Sequence, residues 1–427
     1  MKRVLIISHY FPPTGGGAVQ RPAKFVKYMR KYGFEPIVLT AENPSVPVRD
    51  ESMSLDITED IKVIKARTLE PSYEIKKTVM KKGKRRFNLE TLVRSLLIPD
   101  PQVLWIPGFT KKVLSLRKEP PDLIFTTAPP FSSLVAGVVA KFILRRPLVL
   151  DFRDEWVGWL DGSSWTTIGA NKGIRARLEK MLEHFIVGHA EAVVSASPGY
   201  LEAFERKYPT MPAEKFTVIT NGYDPEDFEH NGKKEDYQEI LRQNKFNLLY
   251  VGTVFPLTSL RYFLKGVSKT EIRKNLNLVI VGRITPDEES ILDAHSDISM
   301  DRLGYWPHSE AIKLSRHADA LLLTLSPLKG AERVVPAKLF EYLALGRTIL
   351  AVMPQGSASG ILGDFPGCNT VDPRDEAAVC RAFQELFEKW QNRSLNPVFS
   401  DVSMHSREKK TEALCAFFDK VLEMKPC

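Results

Sequence analysis

Residues 3–41, RVLIISHYFPPTGGGAVQRPAKFVKYMRKYGFEPIVLTA, hold the pattern on which the fold turns. RVLIIS is a short, continuous apolar run, as expected of a strand buried on both faces. The Pro/Gly loop HYFPPTGGG then ends it. RPAKFVKYMRKYG puts Phe25, Val26 and Met29 on one helical stripe, with Pro22 near its start and Gly33 as its stop. FEPIVLTA is a second apolar strand. Strand, loop, helix and strand in that order make a βαβ unit, the building block of a parallel sheet covered by helices.

The pattern recurs. DLIFTTAPP, helical SSLVAGVVAKFILRR and PLVLDFRD repeat it, followed by a helix over about 173–188 and the strand AVVSAS. After FTVITNGYDPEDF (216–228) the chain turns polar through EHNGKKEDYQEILRQNKFN, the stretch best suited to a linker. Beyond it NLLYVGTV (247–254), NLVIVGR (277–283), ADALLLTL (318–325) and RTILAVM (347–353) are again short apolar strands between helices. Helical segments over 374–390 and 406–424 close the chain. A length of 427 residues suits two domains. The expected fold class is therefore α/β, two Rossmann-like, doubly wound parallel-sheet domains facing a cleft, with ligands at the carboxyl ends of the strands.

Composition narrows the function. No uncharged apolar run reaches the roughly 18 residues that span a bilayer, and the N-terminus reads as a first strand rather than a signal peptide, so the expected location is cytoplasmic. Cys368, Cys380, Cys415 and Cys427 all fall in the last 60 residues without CxxC pairing, which argues for reduced thiols and against a zinc site. The net charge is +8, and KKTVMKKGKRRF (76–87) concentrates much of it, a run that suits a phosphate-rich partner, an anionic membrane surface or a solvated loop. Neither a zinc-protease helix nor a Gly-x-Ser-x-Gly elbow occurs.

Three stretches could carry chemistry. Gly15, Gly16 and Gly17 lie between the first strand and helix, where backbone amides can approach an anion; the spacing matches neither nucleotide fingerprint, and a structural turn is the alternative. LDFRDEWVGWLDGSSW (150–165) ends a strand with Asp151, Arg153, Asp154 and Glu155 and adds Trp156, Trp159 and Trp165. Asp154 or Asp151 could act as a base or hold a sugar hydroxyl, Arg153 an anion, and a Trp a sugar ring; the structural alternative is an Asp/Arg ion pair beside core tryptophans. His9 and His308 are each isolated and carry no assignment.

The third stretch, VVPAKLFEYLALGRTIL (334–350), is an apolar helix with Pro336 at its expected first position and two charges, Lys338 and Glu341, on one face. A first-turn Lys faces the positive end of the helix dipole, and Lys before Glu is the weaker order for an ion pair. A diphosphate at the helix N-terminus would explain both: Lys338 and the free amides would neutralise it, and Glu341 would accept from ribose hydroxyls.

Taken in order, SHYFPPTGGG, TTAPPFSS, LDFRDEW, VITNGYD, LLYVGT, LGYWPHSEA and VPAKLFEYLALG resemble the family 4 glycosyltransferases of the GT-B fold over nearly the whole chain. The resemblance implies an acceptor-binding domain over 1–225, a nucleotide-sugar-binding domain over 226–400 and a closing helix over 401–427 that returns to the first domain. It implies that Glu341 binds the donor ribose, that Gly304, Tyr305 and Trp306 meet the nucleobase, that Gly16 and Gly17 lie near the donor phosphates, and that Thr253 stands where relatives carry a phosphate-binding Arg. Lys338 would replace that charge. Arg333, with Glu332 beside it, stands where relatives carry a second glutamate. Asp154 falls in the catalytic region, with Asp151, Arg153 and Trp156 on the acceptor side.

The implied activity is retaining transfer from a nucleotide-sugar to a glycan or lipid-linked acceptor in surface polysaccharide synthesis. No metal or other cofactor is expected, no nucleic acid is a partner, and residues 76–87 could hold the enzyme peripherally on the inner face of the plasma membrane. The competing readings are a nucleotide-sugar epimerase of GT-B fold and a catalytically inactive GT-B scaffold.

Overall fold

The computed structural model describes residues 1–46, 48–71, 73, 97–157, 174–229 and 237–424. The chain divides into two compact units, Met1–Thr220 with Arg407–Cys427, and Asn221–Ser406. The expected changeovers were 225/226 and 400/401; the units change at 220/221 and 406/407. The basic run 76–87, Trp159 and Trp165 lie outside the described residues.

The first unit is built on a parallel sheet of β1 (Lys2–Ile7), β2 (Phe34–Ala41), β3 (Lys62–Ala66), β4 (Leu123–Ala128), β5 (Leu148–Phe152), β6 (Ala192–Ser195) and β7 (Phe216–Val218). Its order is β3-β2-β1-β4-β5-β6-β7. β4, β5 and β6 are buried along their whole length, as continuous apolar strands covered on both faces must be. Around them lie α1 (Gly17–Tyr28), α2 (Ile106–Ser115), α3 (Ser132–Leu144), α4 (Ile174–His189) and α5 (Pro198–Lys207).

Helix α1 begins at Gly17, five residues before Pro22, so Pro22 is an interior position rather than a start. A proline there has no N–H for the carbonyl four residues back. That carbonyl, Ala18 O, instead accepts from Arg153 Nη1. The terminal helix (Arg407–Glu423) joins the same core through Leu414, Cys415, Phe418 and Val421. Phe418 meets Phe34 and Phe125 edge-on, with centroids 5.6 and 5.4 Å apart.

The second unit repeats the plan with β8 (Phe246–Val251), β9 (Leu276–Val281), β10 (Ser299–Gly304), β11 (Ala320–Thr324), β12 (Ile349–Val352) and β13 (Cys368–Val371), all parallel, in the order β10-β9-β8-β11-β12-β13. Its helices are α6 (Arg261–Val267), α7 (Pro286–Asp293), α8 (His308–His317), α9 (Lys338–Leu345), α10 (Ser357–Gly363) and α11 (Glu376–Gln391). In each sheet the first strand of the unit is the point where the winding direction reverses, between β1 and β4 and between β8 and β11. Open α/β sheets bind ligands outside the carboxyl ends of the strands at such a reversal.

Candidate functional site

Helix α9 is fastened to the carboxyl end of β8 by the first and fifth of its own residues. Lys338 Nζ donates to Val251 O at 2.8 Å, and Val251 N–H donates to Tyr342 Oη at 2.9 Å, so one strand-end residue is held through both its backbone groups. The Lys338 ammonium also stands 3.6 Å from the centroid of the Tyr250 ring. Burial pushes the Lys338 pKa well below the usual 10.5, against the opposing pull of Glu341. Pro336 lies two residues before the first helical position rather than at it, and Leu339 N–H donates to its carbonyl at 3.1 Å.

The strand ends leave no room for side chains here. Gly252 has φ +129°, and a Cβ on it would stand 3.0 Å from Lys338 Nζ. A Cβ on Gly282, at the end of β9, would lie 2.0 Å from Gly252 O. Thr253 follows, half-buried, its carbonyl accepting from Tyr250 Oη at 3.0 Å and Thr258 Oγ1 at 2.8 Å.

One turn into α9, Glu341 Oε1 lies 2.9 Å from His308 Nε2. A carboxylate can only accept, so Nε2 carries the proton in this contact. His308 Nδ1 is 3.8 Å from Asp227 Oδ2. His308, Glu341 and Asp227 keep 16%, 13% and 21% of their side-chain exposure, so the trio is open at one side. His308 is the first residue of α8 and directly follows Gly304, Tyr305, Trp306 and Pro307. Gly304, at φ +70°, is exposed, while Tyr305 and Trp306 are half-buried. The imidazole therefore ties the segment expected to meet a base to the glutamate expected to meet a ribose. Sequence reasoning left His308 unassigned; its place after a proline, at the start of a helix, was the available signal.

Arg333 turns to its neighbour: its Nη1 donates to Glu332 Oε1 at 3.1 Å, and Gly330 N–H donates to Glu332 Oε2 at 2.9 Å.

In the first unit the charged end of β5 is largely structural. Asp151 is completely buried; Arg21 Nε and Nη2 reach its Oδ1 and Oδ2 at 2.8–3.2 Å, and Thr127 Oγ1 donates to Oδ2 at 2.7 Å. It is the core ion pair of the structural alternative, made with Arg21 rather than Arg153, and has no face left for an acceptor. Arg153 donates to the backbone carbonyls of Ala18, Ala128 and Pro129. Its pKa is lowered by burial despite Asp151 and Asp154. Trp156, 4% exposed, stacks on Phe131 at 5.2 Å and 10° and is a core side chain rather than a sugar platform.

Asp154 remains half-buried, and burial raises its pKa in spite of Arg153. Gly16 adopts φ +97° and Gly17 opens α1; a Cβ on either would meet no heavy atom within 4 Å. His9 is fully buried against Trp105 (5.0 Å) and Tyr10 (4.8 Å), 3.8 Å from Glu70.

Comparison with known proteins finds chains of similar fold. Residues 16–222 match the family described as glycosyl transferase 4-like domain. The structure of Anabaena HepE in complex with UDP and glucose is similar at 15% identity, with a TM-score of 0.69 over 98% of this chain and 100% of that one. Sucrose-phosphate synthase from Thermosynechococcus elongatus is similar at 14% identity and a TM-score of 0.64, over 99% and 96% of the two chains. A Listeria monocytogenes protein described as a UDP-N-acetylglucosamine 2-epimerase is similar at 12% identity and a TM-score of 0.56, over 99% and 97%. No curated protein matches the sequence. The chain has the fold of the GT-B glycosyltransferases.

Proposed function

We propose that the protein transfers a sugar from a nucleotide-sugar, with a uridine diphosphate donor as the first to test, onto a glycan or lipid-linked acceptor in surface polysaccharide synthesis. The observation that carries the donor half is the convergence of Lys338, Glu341 and His308 where the second sheet reverses its winding. HepE, of the same fold, is known in complex with UDP-glucose.

In this reading Glu341, oriented by His308, accepts from the ribose hydroxyls. Lys338 and the first amides of α9 meet the diphosphate, and Gly304, Tyr305 and Trp306 border the base. Arriving phosphate charge would offset the desolvation of the Lys338 ammonium, so the cost of burying it in the empty site becomes affinity in the filled one. The same positive charge would stabilise the departing nucleoside diphosphate without a metal, and the transfer would retain anomeric configuration. Asp154, whose carboxyl holds its proton more tightly than an exposed aspartate, would face the acceptor, with Gly16 and Gly17 beside the phosphates. The acceptor would be met at the inner face of the plasma membrane, where the basic run 76–87 favours anionic lipid.

Incubation with a labelled UDP-sugar, with and without lipid-linked acceptors, tests this reading. Acceptor-dependent transfer of the label is expected. Conversion of the sugar to its epimer without any acceptor would favour the epimerase instead, as the similarity to the Listeria protein allows.

A further inference from the structure

The exposed face of α4 carries none of the residues assigned above to sugar transfer. Ile174, Leu178, Met181 and Phe185 recur at intervals of four, three and four, which places them on one stripe of a helix. They are 78%, 45%, 68% and 46% exposed, although a helix of a globular protein normally turns such a stripe inward. Phe142 on α3, 57% exposed, extends the stripe through His189, whose ring lies 5.5 Å from it and 4.1 Å from Phe185.

The charges of α4 are sorted between its two sides. Its only carboxylates, Glu179 and Glu183, are turned inward at 2% and 0% exposure. Arg175 Nε holds Glu179 at 2.8 Å, and Lys207 Nζ and Tyr208 Oη hold Glu183 at 2.7 and 2.6 Å. The outer side carries Arg177, Lys180 and His184 along one flank of the apolar stripe, and exposed Arg145 follows Phe142 at the end of α3. An apolar stripe edged by cations and cleared of carboxylates is the pattern of a helix lying in the plane of an anionic lipid surface. A second copy of the chain fits it less well, because a two-fold contact sets the same patch against itself, and this patch carries cations while both carboxylates of α4 are buried. Among the described residues no helix is long and apolar enough to cross a membrane.

We infer that the outer face of α4, with Phe142, docks the first unit on an anionic lipid surface. The inference deepens the lipid-linked acceptor reading, and its test needs neither donor nor acceptor, so the two can fail separately. Full-length protein is sedimented with vesicles of phosphatidylglycerol in phosphatidylcholine and with vesicles of phosphatidylcholine alone. Binding to the anionic vesicles that weakens with salt is expected. Both the apolar variant Leu178→Ser/Met181→Ser/Phe185→Ser and the charge variant Arg177→Gln/Lys180→Gln should bind about tenfold more weakly at unchanged melting temperature. Undiminished binding by both variants, or equal binding to the two kinds of vesicle, would overturn the inference. So would a dimer in solution that the apolar variant dissociates while vesicle binding stays the same.

Discussion

The carboxyl ends of β5 and β8 each lie beside charged side chains, supplied at β5 by the strand's own continuation and at β8 by helix α9, 87 residues further along the chain. They differ in what the charges meet. At β5, Asp151 and Arg153 are absorbed by Arg21, Thr127 and three backbone carbonyls, one of them freed by Pro22. At β8, Lys338 and the Glu341–His308 pair are anchored on one side and open on the other. Charge at a strand end is therefore a candidate for binding only where part of it stays in contact with solvent.

The largest effect should come from breaking the closed end. Arg21→Met leaves the Asp151 carboxylate buried with one hydroxyl, and removing one partner of a buried pair costs about 3–5 kcal/mol. Denaturant unfolding should show this loss; a change under 1 kcal/mol would mean that the network at β5 is not closed. At the open end, His308→Ala should weaken nucleotide-sugar binding about tenfold, as expected when a charge-assisted hydrogen bond that positions Glu341 is lost, while stability changes little. A calorimetric titration separates the two outcomes.

Lys338 gives the comparison a pH signature. Its pKa is lowered on folding, so between that lowered value and the ordinary 10.5 the unfolded chain binds more protons than the folded one, and stability rises with pH in that window. Melting temperatures from neutral pH to about pH 10 should rise less in Lys338→Met than in the parent; parallel curves would place the ammonium in water. The smallest effect belongs to Gly17→Ala. A Cβ there meets no neighbour within 4 Å, so stability should hold to within about 0.5 kcal/mol. A fall in transfer rate at unchanged stability would report a donor lying against Gly17.

Much of this fold could be read from the sequence because its central strands are continuous apolar runs separated by helical stretches. The edges were not readable in the same way. β3 is KVIKA, with lysines among its apolar residues, and the four residues of β13 are all half-buried. Such strands are held by their neighbours rather than announced by a periodic pattern. Among site residues, Glu341 and Lys338 could be singled out because their order is unfavourable for a helix that has nothing to bind. His308 could not, since its partner lies 33 residues away. The pairing of Asp151 with Arg21 spans 130 residues, beyond the reach of local spacing, and so Asp151 read as a candidate for chemistry.

The claim on which the rest depends is that α9 carries the donor. Titrating UDP into the parent protein and into Glu341→Ala tests it most directly. The account predicts saturable binding by the parent and a loss of about 2 kcal/mol, roughly thirtyfold, in the variant at unchanged melting temperature. Equal affinity of the two proteins for UDP would contradict it.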